Sequence, residues 1–362
     1  MTATMTPAPV NRPRLVTRRR ALLGGAAALA IPPVRATALP LVRSPFNRLV
    51  KGSPIKVRGL DLYGQNGPSW GSFWSKWDWF GYIKPMLDAA AAKGATHVKI
   101  ACSGVSPDTS GNYPSDAVLQ AQITQFCLYC ASLGMGVYFR FGWQLSQLTT
   151  NGVSAAGTTC AKLAGWLNPL LNVIGIDVSD EVDLGQPDPA TLISIATAIR
   201  GATKIPLTWS LNDPSPNKCA LYAKFGGPNG QPVDFLDIHW YYYNQPHCQP
   251  PPSYGTTANC NQAFDITLNN TLASIKALGN YPGCFLLGET GAPMEQGQAP
   301  QTAWTVAVNK FVAANTDCLG AMWWTLEDNY GGGTYDTGMY TQYLGTEKTW
   351  ITTPFAQWPG HL

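Results

Sequence analysis

The chain has 362 residues, of which 45% are hydrophobic and 12% charged, and its net charge is +3. That balance suits one large globular domain with an extensive core. Much of the positive excess is N-terminal, so the rest of the chain lacks the basic stripe of a nucleic-acid binder.

Arg18, Arg19 and Arg20 open "TRRRALLGGAAALAIPPVRATALP", where a short Ala/Leu run ends near an A-x-A site. Basic region, apolar region and small-residue site read as an export signal, with paired arginines of the twin-arginine type. We expect residues 1–38 to be this signal, residues 39–362 to be a single domain, and the product to be soluble and secreted. A disordered basic arm is the bland alternative. The apolar run is shorter than a bilayer span and no cysteine in it could carry a lipid, so no membrane anchor is expected.

Beyond the signal, runs rich in β-branched and aromatic residues alternate with segments of helical period. "KVRGLDL" reads as a first strand, followed by a loop that brings together Trp70, Trp74, Trp77 and Trp79. Then come the helical "YIKPMLDAAAAKGA", the strand "THVKIAC", the helical "DAVLQAQITQFCLYCASLGM" and the strand "GVYFRFGW". Within that second helix Cys127 and Cys130 lie one turn apart, a spacing that core packing explains.

The fourth strand, "NVIGIDVS", runs into Asp177, Asp180, Glu181 and Asp183. Asp188 and Pro189 then mark a helix start in "DPATLISIATAIRGA". Strands "IPLTWSL" and "DFLDIHW" follow, and Cys248 and Cys260 flank a proline-rich loop that a disulfide could close. "CFLLGE", the helical "TAWTVAVNKFVAANT" and "LGAMWWTL" complete the series.

Eight strand and helix units in one chain predict an α/β fold, a single-domain (β/α)8 TIM barrel, because a right-handed parallel crossover repeated eight times closes on itself. An open doubly wound sheet is the alternative, but no G-x-G-x-x-G follows the first strand and no P-loop occurs. Nor is a metal or other cofactor expected. The four histidines, His97, His239, His247 and His361, form no cluster at strand ends, and no C-x-x-C among the nine cysteines is matched by a second pair at zinc spacing.

In such a barrel the C-terminal strand ends form the active site. The fourth strand ends on its carboxylate cluster, and the seventh ends in "FLLGETG", placing Glu289 after a wholly apolar run. Two carboxylates across an aromatic-lined cleft are what hydrolysis of a glycosidic bond requires. Flat indole faces suit the C–H faces of sugars; each tryptophan alone reads better as packing than as a platform, and the cluster of four shifts that balance. Glu327 and Asp328, past the eighth strand, read as rim residues, and Asp177 as pointing into or behind the barrel wall.

The segments "NVIGIDVSDEVD", "DFLDIHWYYY", "CFLLGETG" and "MWWTLEDN" resemble the strand ends of clan A glycoside hydrolases, most nearly family 5. The resemblance implies a retaining glycosidase acting on a neutral, β-linked polysaccharide or oligosaccharide by double displacement, with Glu181 as acid/base and Glu289 as nucleophile. It further implies that His239 and Tyr241 support the nucleophile and that Trp324 floors the cleft. Arg140 would replace an absent strand-two arginine, where the chain has Lys99. Trp74 and Trp143 are expected to face the sugar. Asp180 stands where the family usually has asparagine, and with Asp183 it is expected to favour a protonated Glu181 by like-charge repulsion. A sugar-binding barrel without catalysis is the rival from another class.

Overall fold

The computed structural model describes residues 48–54, 56–62, 70–102, 114–142, 149, 151–182, 189–212, 214–215, 233–242, 257–277, 281–293, 297–328, 337–341 and 344–360. All belong to one compact unit, Ser44–Leu362. The expected export signal, Trp143, Asp183, the Asp188 cap and Cys248 lie outside the described residues.

Among the described residues, nine strand segments form one sheet: β1 Val57–Leu62, β2 His97–Ala101, β3 Gly136–Arg140, β4 Val173–Asp177, β5 Leu207–Thr208, β6 Ser210–Asn212, β7 Leu236–Tyr241, β8 Phe285–Gly291 and β9 Cys318–Trp323. Their spatial order is β5-β4-β3-β2-β1-β9-β8-β7-β6, and every pair is parallel. The two ends of this order, β5 and β6, are the halves of the single strand expected at residues 205–211, divided at the buried Trp209. β5 pairs with β4 and β6 with β7, while Ser210 N–H donates to Ser179 O (3.3 Å) and Val182 N–H to Ser210 O (3.1 Å). The barrel therefore has eight strand positions and closes through a broken fifth, as the eight sequence units predict.

Among the described residues, helices lie in most of the connections: α1 Trp70–Ser75, α2 Lys84–Ala92, α3 Asp116–Ser132, α4 Val153–Leu167, α5 Pro189–Ala202, α6 Thr257–Gln262, α7 Asn269–Ala277, α8 Gln298–Ala314 and, after β9, α9 Thr349–Phe355. In α3, Leu119, Ile123, Phe126, Cys127 and Cys130 recur at helical spacing and are buried, so the two cysteines are core residues. One apolar cluster fills the space between helices and strands. A second, separate cluster draws Val57, Tyr138, Ile174, Leu286 and Met322 from five strands with no helix residue, and lies inside the barrel.

At the C-terminal ends the interior changes character. Asp61, Lys99, Arg140, Asp177, Asp237 and His239 are all fully buried there. Strand register makes them neighbours: Asp61 pairs with Lys99, Arg140 with Asp177, and His239 with Glu289. A core made of charges is costly unless the charges are paired and hydrogen-bonded.

Candidate active site

Glu289 lies on β8 and is only 3% exposed. Its Oε1 accepts from Lys99 Nζ at 2.9 Å and from Arg140, and its Oε2 accepts from Tyr241 Oη at 2.6 Å. Burial would raise its pKa, but the charges of Lys99 and Arg140, together with the hydrogen bond from Lys99, outweigh burial and hold the carboxyl below its ordinary range. A carboxylate so held is ionised and oriented.

Glu181 follows β4 with φ of 41°, in the left-handed region that few non-glycine residues adopt. Its N–H donates to Ser210 Oγ at 2.9 Å, and that hydroxyl lies 3.1 Å from both Asp177 Oδ2 and Asp180 Oδ1. The broken strand thus helps to hold this turn. Such a backbone conformation costs on the order of 1–3 kcal/mol and persists where surrounding contacts impose it. The result is a side chain that reaches His239, with Oε1 at 3.0 Å from Nδ1.

His239 stands between the two glutamates, because the same Nδ1 lies 3.3 Å from Glu289 Oε2. Burial drives its pKa well below the usual histidine value; Lys99 and Arg140 act in the same direction and Glu289 opposes them.

Asp180 Oδ1 takes a hydrogen bond from Arg140 Nη1 at 2.8 Å. Arg140 also lies 3.3 Å from Asp61 Oδ2 and 5.7 Å from the Trp324 ring, whose peptide bond to Thr325 is cis. The expected repulsion of Glu181 by Asp180 is therefore corrected: the Asp180 charge faces an arginine that offsets it. Donor atoms of Asp180, His239 and Glu289 lie within 4.8 Å of one another, a spacing that could suit a cation. Lys99 and Arg140 already hydrogen-bond within this group, Lys99 to Glu289 and Arg140 to Asp180 and Glu289.

Six residues expected at the site, Glu181, Glu289, Asp180, His239, Tyr241 and Arg140, are thus brought into one hydrogen-bonded network, with Trp324 beside it. Trp74 is not there. Its ring is fully buried, its Nε1 donates to Ala101 O at 2.7 Å, and it stacks on Trp77 at 5.6 Å with Phe73 and Phe126 against its edges. It is a core residue, because α1 turns it inward with Phe73. Glu327 and Asp328 also depart from the rim reading: each is 8% exposed, and Asp328 pairs with the buried Lys348 at 2.6 Å.

The layer also includes Lys99, Asp61, Tyr138, Ser210 and Asp237, which the motif pattern alone does not single out. Asp177 points into the barrel interior, toward Ser210. Asp237 Oδ2 accepts from Tyr138 Oη at 2.5 Å. One signal was available: Asp61, Lys99, Tyr138 and Asp237 occupy alternating strand positions where an apolar barrel interior would carry Val, Ile or Leu.

No protein-family model matches the sequence, and no curated protein matches it. Solved structures do match in fold. GH5_18 from Streptomyces cattleya, in complex with GlcNAc, is 17% identical with a TM-score of 0.60, over 83% of this chain and 80% of that one. The exo-β-1,4-mannosidase Op5Man5 from Opitutaceae bacterium strain TAV5 is 18% identical with a TM-score of 0.62, over 87% of this chain and 61% of that one. Cel5A of Thermotoga maritima, in complex with mannotriose substrate, is 13% identical with a TM-score of 0.60, over 83% and 97%. At these identities the likeness establishes the barrel fold.

Proposed function

We propose that the protein is a retaining glycoside hydrolase that cleaves a neutral, β-linked polysaccharide or oligosaccharide, and that it is exported by the twin-arginine route. One observation carries the enzymatic reading. A single nitrogen, His239 Nδ1, lies 3.0 Å from Glu181 Oε1 and 3.3 Å from Glu289 Oε2. The two carboxylates are therefore closer than the about 6.5–9.5 Å that an inverting pair needs to admit water between them and the sugar.

Glu289, ionised and held by Lys99, Arg140 and Tyr241, attacks the anomeric carbon as Glu181 gives its proton to the leaving oxygen. A covalent glycosyl ester forms at Glu289 and the aglycone departs as an alcohol. Glu181, now a carboxylate, takes a proton from water, and that water displaces Glu289 from the sugar. Trp324, at the end of β9, supplies an aromatic face beside the reacting centre. Cel5A in complex with mannotriose and the exo-β-1,4-mannosidase share the fold, which supports a β-linked substrate.

The test is reducing-end release from a panel of purified neutral polysaccharides, with Glu289→Gln and Glu181→Gln as comparisons. Cleavage by the wild type that falls by about a thousandfold or more in both variants supports the reading. Binding of a glycan by the wild type with no release from any member of the panel would replace it with a sugar-binding barrel.

A further inference from the structure

Lys99 is enclosed on every side. Its ammonium group has three protons and three acceptors: Glu289 Oε1 at 2.9 Å, His239 Nε2 at 3.3 Å and Gly288 O at 3.4 Å. Asp61 Oδ2 at 3.9 Å and Asp180 Oδ1 at 4.0 Å surround it further, with the Tyr138 ring 5.6 Å below. Burial opposes its charge, but Glu289, Asp237 and Asp180 outweigh burial, and Lys99 remains an ammonium.

An ammonium group has no lone pair, so its contact with His239 Nε2 is a hydrogen bond only if that nitrogen carries none of its own hydrogens. The imidazole proton is then on Nδ1, the nitrogen that faces Glu181 and Glu289. A doubly protonated ring would set an N–H against the ammonium.

We propose that Lys99 is a positioning residue that fixes His239 as its Nδ1-protonated tautomer and so places one proton between the two glutamates. This rests on the glycosidase reading for its catalytic meaning, though not for its chemistry. Glu181 Oε1 accepts from Nδ1, which orients the carboxyl that gives its proton to the leaving group. Glu289 Oε2 receives the longer branch of the same hydrogen bond. One lysine thereby sets the charge of one glutamate and the orientation of the other.

The groups that face this unit are Asp61 on β1, Tyr138 and Arg140 on β3, Asp177 on β4, Asp180 and Glu181 after it, Ser210 on β6, Asp237 and Tyr241 on β7, Glu289 on β8 and Trp324 after β9. Lys99→Met removes the Lys99 donor to Nε2 and leaves the contacts of His239 Nδ1 with Glu181 and Glu289 in place.

The experiment is imidazole nitrogen NMR on the full chain labelled with ¹⁵N-histidine, with the His239 signals assigned by their loss in His239→Gln. The expected spectrum shows a neutral ring protonated at Nδ1 from about pH 5 to about pH 8. In Lys99→Met the ring gains a proton on Nε2, and the acidic limb of kcat/KM moves upward while its plateau falls by about a hundredfold. An Nε2-protonated or doubly protonated ring in the wild type overturns the proposal, as does an unchanged His239 spectrum in Lys99→Met. If Lys99→Met does not fold, the wild-type spectrum decides alone. The expected spectrum in a protein that cleaves no glycan upholds the tautomer and defeats the glycosidase reading, so the two fail separately.

Discussion

Two cations and a phenol converge on the carboxylate of Glu289, and each contact makes a different demand on its residue. Tyr241→Phe removes one hydrogen bond to a charged oxygen and no bulk. It is expected to lower kcat/KM by about ten- to a hundredfold and to cost about 2 kcal/mol of stability in urea unfolding. Arg140→Met is harsher, because Asp61, Asp180 and Glu289 all lose a fully buried partner. Breaking such a network costs about 3–5 kcal/mol, since the remaining charges stay buried. The control is Lys162→Met at the exposed Lys162–Asp116 pair, where the change in unfolding should be small. Equal effects at both sites would mean that the buried layer is not a charge network.

Between elements, contact distances decide which glycines are dispensable. On β8 a methyl group at Gly288 would lie 1.7 Å from Asp237 Oδ1, and Asp237 is itself fixed by Tyr138. Gly288→Ala is expected to destabilise by several kcal/mol, on the order of a severe core mutation. Gly165 in α4 meets nothing within 4 Å, so Gly165→Ala should stabilise by about 0.5–1 kcal/mol through helix propensity. Thermal unfolding of the two variants checks both signs. Apolar runs made the strands themselves legible, and the carboxylates that end β4 and β8 pointed to the mouth. The break between β5 and β6 was not legible, because "IPLTWSL" has the continuous apolar character of one strand. It is visible only in three dimensions: β5 pairs with β4 and β6 with β7, and Thr208 Oγ1 donates to Phe235 O at 2.7 Å. The burial of Trp74 is illegible in the sequence for a similar reason. The residues of its loop showed many tryptophans, but the turn of α1 that buries Trp74 depends on Phe73, Trp77 and Phe126 meeting it together.

Across the whole barrel, the buried layer holds more acids than bases. Asp61, Asp177, Asp180, Asp237 and Glu289 share one interior with Lys99 and Arg140. Glu289 takes the largest part of the positive field, and its stabilising contribution is lost as pH falls. The others hold protons more tightly than free aspartates do: burial raises Asp61 and Asp177 well above the ordinary value, raises Asp180, and pushes Asp237 up to about 6. For Asp237 the consequence has a definite sign. Below the unfolded value of 3.8 both states bind the proton and the contribution to stability is complete. As pH rises toward about 6 the unfolded chain ionises first, and the contribution declines, by at most about 3 kcal/mol, until both states are ionised. Asp237→Asn keeps an acceptor for Tyr138 and cannot ionise, so it should lack this decline. Measured by urea unfolding from about pH 4 to about pH 7, the variant should gain steadily on the wild type. Parallel curves would show that Asp237 is ionised throughout, and would move the excess proton of the layer to Asp61 or Asp177.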